Sequence, residues 1–252
     1  MKQNIYDDPE FFQMYHKLRQ TRVTYNDFIE QPAIKRLLPE LKDLKVLDLG
    51  CGFGELAKYC VDQGAQSVHG IDISKQMLSI AHKDPRITYH CMAMEDLFFE
   101  RGAFDLIVSS LAFHYVENFK ELMMNISNWL TVNGYLVFST EHPVVLSRKE
   151  QSGWIENSDR EKLYWPIDHY GEEGIREQFW GVEGVIKYHR KLSTLINTLL
   201  ENDFMIERME EPESTPEGLS KMPKLINERR RPSFLLIKAK KKMWVTKVKA
   251  EH

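Results

Sequence analysis

The chain is poor in the features that mark extracellular, membrane and metal proteins. It has three cysteines in 252 residues, Cys51, Cys60 and Cys91, and no two form a CxxC pair. That excludes a disulfide framework and a thiolate metal site; a reducing, cytoplasmic setting follows and no metal is expected. No run approaches the roughly 18 apolar residues that a helix needs to cross a bilayer. Residues 1–12 carry Lys2, Asp7, Asp8 and Glu10 without an apolar stretch, so they do not read as a secretory signal, and no membrane partner is expected. A GK[ST] sequence is missing, which excludes a nucleoside-triphosphate P-loop. There is no internal repeat.

Excess charge is small as well: 34 basic and 37 acidic residues give a net −3. The balance is uneven along the chain. Residues 221–250 hold eleven Lys or Arg and one acid, Glu228, which leaves 23 basic and 36 acidic residues elsewhere, net −13. A basic terminal segment can bind phosphate backbones, whereas an acidic body repels them. The segment reads as a last strand and a solvated end, and no nucleic-acid partner is expected. Oligomeric state is not set by the sequence.

What is present is an ordinary globular composition, 42% apolar and 28% charged, with a clear α/β rhythm. Residues 45–49 (KVLDL) form a strand that runs into a glycine cluster at 50–54, and 55–63 follow as a helix. Strands are predicted at 67–72, 87–91, 104–109 and 135–140. Ser74 caps a helix through His82, and Asn118 caps one to Leu130. Strands alternating with helices imply βαβ units and a parallel sheet. The rhythm then breaks: 141–187 are rich in Trp, Tyr, Gly and charge and read as an inserted lid. A helix at about 188–201, a strand at 204–208 and a last strand at 233–239 complete the pattern. The whole is expected to be one domain: a helical cap (1–40), a core (41–140), the lid (141–187), the rest of the sheet (188–239) and a basic tail (240–252).

The chemistry concentrates in DLGCGFG (48–54), directly after a strand and opening a helix. Glycines permit a tight turn and close backbone approach, and the helix N-terminus offers free N–H groups. In dinucleotide-binding loops a third glycine of GxGxxG would fall at position 55. Here Glu55 stands there, and its carboxylate is unfavourable beside a pyrophosphate, so a dehydrogenase is disfavoured. Asp72 ends the next strand 22 residues after Gly50, the place from which an acid can accept bonds from both ribose hydroxyls of a nucleoside. Asp48 is placed to meet a cationic group such as an α-amine.

The stretch VLDLGCGFGELAKYCVDQGAQSVHGIDIS resembles the first two motifs of the class I S-adenosylmethionine-dependent methyltransferases. The likeness extends through Met94–Leu97, FDLIVSSLAFHYV (104–116) and NGYLVFST, covers about residues 40–140, and is most similar to the small-molecule branch with the ubiquinone and biotin-pathway methyltransferases. It implies a Rossmann-like seven-stranded, mostly parallel sheet flanked by helices, with S-adenosylmethionine as cofactor. Gly50, Cys51, Gly52 and Gly54 would then line the methionine part, Asp72 hold the ribose and Ile73 pack on the adenine. The family often has an acid after the third strand; Ala93 stands there, so the backbone of Ala93 and Met94 would serve the adenine. Ser109 matches a position whose backbone faces the methionine part. Separately, the N-terminal group Tyr6, Tyr15, His16, Arg19 and Tyr25 could close over the cofactor, with Arg19 holding the methionine carboxylate or an acidic substrate group.

Ligands of open parallel sheets lie beyond the carboxyl ends of the strands. His114, after the fourth strand, and Glu141 and His142, after the fifth, are therefore the candidate catalytic residues, with a small molecule as the expected acceptor. His114 could act as a general base or merely pack. RNA methylation and a non-catalytic nucleotide-binding role remain as alternative readings.

Overall fold

Local signals start and stop most of the elements. The computed structural model describes residues 2–150 and 153–242. A 3₁₀ turn at Ile5–Asp7 precedes α1 (Pro9–Gln20), which Asp8 caps by accepting the Phe11 N–H. A π-helical turn, Asn26–Glu30, leads into α2 (Gln31–Leu37). The βα alternation follows: β1 (Lys45–Leu49), α3 (Glu55–Asp62), β2 (Ser67–Asp72), α4 (Lys75–Ser79), β3 (Ile87–Cys91), β4 (Phe104–Ser109), α5 (Phe119–Trp129) and β5 (Leu130–Glu141). Ser74 and Asn118 cap α4 and α5 as predicted, accepting from the Met77 and Glu121 N–H groups.

Several boundaries differ from the sequence reading. Helix α4 stops at Ser79 rather than His82, because the His82 N–H turns back to the Phe53 carbonyl at 3.0 Å and joins the glycine loop. The lid is not aperiodic: it forms two antiparallel hairpins, β6 (Ile155–Glu156) with β7 (Lys162–Tyr164), and β8 (Gly174–Trp180) with β9 (Val182–His189). Strand β9 therefore crosses the expected lid boundary, and α6 (Leu192–Glu201) begins after it. The inward face of β9 carries Val185, Lys187 and His189, all buried, and two polar residues of three conceal the period-2 signal. After β10 (Phe204–Glu210) and α7 (Pro216–Lys221), the last strand is β11 (Phe234–Lys241). Lys240 pairs with Tyr135, and Lys241 Nζ donates to the Leu130 carbonyl at 2.8 Å, so both belong to the sheet and not to a tail. Lys247, Lys249 and the rest of the expected tail lie outside the described residues.

The sheet runs β10-β11-β5-β4-β1-β2-β3, with β11 antiparallel to both neighbours and the other neighbouring pairs parallel. This is the expected seven-stranded Rossmann-like arrangement. Its strand order reverses between β1 and β4, which opens a crevice at their carboxyl ends. One core lies on the α5–α6 side, around Leu47, Ile107, Phe113, Ile126 and Phe138. The other lies on the α2–α3 side, around Ile29, Ile34, Val46, Ala57 and Val108. Among the described residues no helix is long and apolar enough to cross a membrane.

Candidate active site

The glycine loop sits where β1 meets α3. Gly50, Gly52 and Gly54 all have positive φ, 75°, 55° and 79°. At Gly50 a side chain would also run into the Cβ of Ala112, in the turn after β4, and at Gly54 into the Tyr89 hydroxyl. These two positions therefore require glycine for conformation and for space. The Gly50 and Cys51 N–H groups both donate to the Ile71 carbonyl, at 2.8 and 2.9 Å, which binds the loop to the end of β2.

Asp48 is buried beneath this loop, and both its carboxylate oxygens lack a hydrogen-bond partner among the described residues. The Ala57 N–H favours its ionised form without reaching hydrogen-bond geometry. Burial, then the charge of Asp72, push its pKa up to about 8. A buried carboxylate with two empty oxygens suits a cationic group, such as the α-ammonium of an amino acid. Asp72 is placed differently. Its Oδ2 accepts the Gly52 N–H at 2.8 Å and its Oδ1 the Ser74 N–H at 2.9 Å, so it organises the loop as well as facing it.

Glu55 is neutralised. Its carboxylate is gripped by the buried Arg19 from α1 and by Arg22, and these charges hold its pKa down. Arg19 also donates to Thr24 Oγ1 at 3.3 Å and lies 3.7 Å from Asp27. Its Nε is buried and unpartnered among the described residues and can take another acceptor. Cys51 is buried in the loop, Met94 reaches toward Gly50, Ala93 precedes the 3₁₀ turn Met94–Asp96, and the Ile73 carbonyl accepts from Asn4 Nδ2 at 3.1 Å. The Ser109 hydroxyl donates to the Leu49 carbonyl at 2.8 Å, which clamps β4 to β1 at the crevice.

Beyond β4 and β5 the three candidate catalytic residues separate. His114 is buried; its Nδ1 accepts the Glu141 N–H at 3.4 Å, which leaves the proton on Nε2, 4.0 Å from Glu141 Oε1. Burial pushes its pKa down to about 4. Glu141 Oε1 pairs with Lys187 of β9 at 2.5 Å, and this cation holds its carboxyl below the usual range; Oε2 is buried without a partner among the described residues. His142 is fully engaged within the fold: Nε2 lies 2.9 Å from Glu211 Oε1, and Nδ1 accepts the Val144 N–H at 3.2 Å. It offers no nitrogen to an acceptor.

Further residues complete the site, of which Tyr6 belongs to the N-terminal group expected to close over the cofactor, while Glu30, Asp7 and Gln3 were passed over by sequence reasoning. Glu30 is fully buried; Oε1 accepts from Ser110 and Ser139 at 2.9 and 2.6 Å and Oε2 from Gln31 at 3.0 Å, so the π-turn is tied to the ends of β4 and β5. Such turns often mark functional positions, but nothing in NDFIEQP signals one. Asp7 accepts from the Ser74 hydroxyl at 2.6 Å and from the Gln76 N–H at 3.0 Å, which docks the N-terminus beside Asp72. Tyr6 packs edge-on against Phe11, Tyr15, Trp180 and Tyr115, with centroids 5.1, 5.3, 6.2 and 6.4 Å away. Gln3 bonds both the Gly184 carbonyl (2.6 Å) and the Ile186 N–H (2.8 Å). The N-terminal cap, the turn after β4 and the β8–β9 hairpin thus meet over the crevice.

Residues 47–138 match the family described as "Methyltransferase domain". A protein of Haemophilus influenzae, itself uncharacterised, is 39% identical over 95% of this chain and 98% of its own length. The ubiquinone biosynthesis O-methyltransferase of Chromobacterium violaceum is 33% identical, over 54% of this chain and 56% of that protein. A solved structure from Mesorhizobium loti, described as an S-adenosylmethionine-dependent methyltransferase, superposes with a TM-score of 0.78 at 39% identity, covering 84% of this chain and 97% of that one.

Proposed function

The chain belongs to the class I S-adenosylmethionine-dependent methyltransferases, and from that premise we propose that its acceptor is a small molecule oriented by Glu141 at the carboxyl end of β5. Bound S-adenosylmethionine supplies a methyl group already activated on a sulfonium, so the chain's task is to bind, align and exclude water. Asp48 would meet the cofactor's α-ammonium, Asp72 and the N–H groups of 50–54 its ribose and methionine parts, and Arg19 Nε its carboxylate. Ile73, Ala93 and Met94 would border the adenine, with Cys51 and Ser109 shaping the methionine side.

One observation carries the acceptor reading: Glu141 Oε2 is buried at the crevice and unpartnered among the described residues, while Oε1 is fixed by Lys187. A hydroxyl or amine donated to Oε2 would be held in line for transfer. His114, neutral down to acid pH, supports the Glu141 backbone rather than carrying charge. The aromatic cover of Tyr6, Tyr15, Tyr115 and Trp180 favours a compact ligand over a polymer, and the acidic body disfavours phosphate chains. A cytoplasmic setting accords with three free cysteines.

The test offers labelled S-adenosylmethionine with a metabolite extract or total RNA. Label is expected in a small product and is lost in Glu141→Ala. Label entering RNA alone would overturn the reading.

A further inference from the structure

Arg231 lies in the turn between the 3₁₀ helix Pro223–Arg229 and β11. Its guanidinium stacks on Trp165, 4.3 Å from the ring centroid, and Trp165 is held by an Nε1–H bond to the Val144 carbonyl at 3.2 Å. Its one hydrogen bond to a described residue runs from Nη1 to Ser233 Oγ at 2.8 Å, and Nε is buried without a partner. No carboxylate among the described residues lies within 4.0 Å of it. Glu228, the nearby acid, is occupied by the Ser233 N–H and hydroxyl at 2.7 and 2.9 Å. The contrast with two other arginines, Arg176 and Arg190, is plain. Arg176 donates to the carbonyls of Ser147, His169, Glu172 and Ile175, and Arg190 to those of Phe113, Val116, Glu117 and Tyr188.

A guanidinium has five N–H donors and is never neutral in proteins. With Nε withdrawn from water and unpartnered among the described residues, the part-buried group is unfavourable until an anion supplies an acceptor there. The position links it to the acceptor. Ser233 accepts from Arg231 at its hydroxyl oxygen and from the His142 N–H at its carbonyl oxygen, the latter at 2.9 Å, and Phe234 pairs with Glu141 in the sheet. Arg231 is therefore three residues before the strand position opposite Glu141.

We propose that Arg231, backed by Trp165, is the specificity residue for an anionic group on the acceptor, a carboxylate or a phosphate, while Glu141 takes the acceptor's hydroxyl or amine. This rests on the acceptor site argued above, so the test reads anion binding without methyl transfer. The full chain, saturated with S-adenosylhomocysteine, is titrated calorimetrically with inorganic phosphate and, separately, with benzoate. At least one is expected to bind saturably, and Arg231→Gln to weaken it at least tenfold, with Arg231→Lys intermediate. Binding of phosphate alone assigns a phosphorylated acceptor, and of benzoate alone a carboxylate. Absence of saturable binding by either anion, or equal binding in Arg231→Gln, overturns the proposal. S-adenosylhomocysteine affinity serves as the check on folding; should Arg231→Gln not fold, the wild-type titration and Arg231→Lys decide. Anion binding without methyl transfer to any metabolite would refute the acceptor reading alone, and transfer to a metabolite without anion binding would refute the role of Arg231 alone.

Discussion

The Gly52 N–H donates to Asp72 Oδ2 at 2.8 Å, so the tip of the glycine loop hangs from the acid at the end of β2. A residue that sequence spacing assigns to the ribose is therefore also part of the loop's own scaffold. Asp72→Ala is expected to weaken cofactor binding by about 1.5–3 kcal/mol, the range for hydrogen bonds to a charged group, and to lower Tm as well. Calorimetry with S-adenosylhomocysteine beside a thermal melt checks both. An unchanged dissociation constant in the folded variant would remove Asp72 from the cofactor site.

Asp48 is expected to make cofactor affinity pH-dependent. With its pKa near 8 in the cofactor-free protein, the acid is mostly protonated at pH 6 and must ionise to meet an ammonium. Affinity should rise up to tenfold per unit toward pH 8 and then level off. In Asp48→Asn the profile should be flat and the affinity low. The stability effect has the opposite sense. A carboxyl whose folded-state pKa is raised above the unfolded value of 3.8 stabilises at low pH, and that contribution is lost as pH rises through about 8. The cofactor-free Asp48→Asn variant should therefore melt higher than wild type at pH 8 and similarly at pH 4. A lower melting point at pH 8 would contradict this.

His114 works in the other direction. Its folded-state pKa of about 4 lies below the ordinary 6.5, so it stabilises the fold above pH 6.5, and that contribution disappears as pH falls toward 4. Wild type should lose about 3 kcal/mol of stability over that window from this group, and His114→Gln should show a correspondingly smaller loss. Melts at pH 7 and pH 4.5 measure the difference; equal acid sensitivity in the two proteins would show that the imidazole is not held neutral.

Glu30 couples the N-terminal cap to the crevice. Glu30→Ala leaves the Ser110 and Ser139 hydroxyls without their acceptor, at an expected cost of about 2–4 kcal/mol in stability. Glu30→Gln keeps the shape and one acceptor oxygen and should cost less than half as much. Because Ser139 Oγ also accepts the Leu111 N–H at 3.0 Å, both variants should lower kcat more than they raise the KM for cofactor. Urea unfolding and steady-state kinetics separate the two effects, and a rise in KM alone would place Glu30 at the cofactor rather than behind the turn after β4.

The five parallel strands and the glycine loop were legible because each is encoded locally: short apolar runs, caps at Ser74 and Asn118, and glycines where φ is positive. The Asp48 and Asp72 assignments came from the same local spacing. The lid hairpin was missed because β9 turns Lys187 and His189 inward, where an apolar alternation is expected, and because its pairing with β8 is a tertiary fact. Glu30 and Arg231 were missed for a related reason: a Glu in a helical run and an Arg in a basic run normally face water.

By itself, then, the sequence determined the sheet, the cofactor loop and the family. Only the tertiary structure decided which charges meet: Glu55 with Arg19 and Arg22, Glu141 with Lys187, His142 with Glu211, and Arg231 with no acid within ion-pair distance among the described residues. Strand and turn preferences act over a few neighbouring residues. The energy of a buried charge instead depends on groups 20 to 100 residues away that the fold brings within a few ångströms.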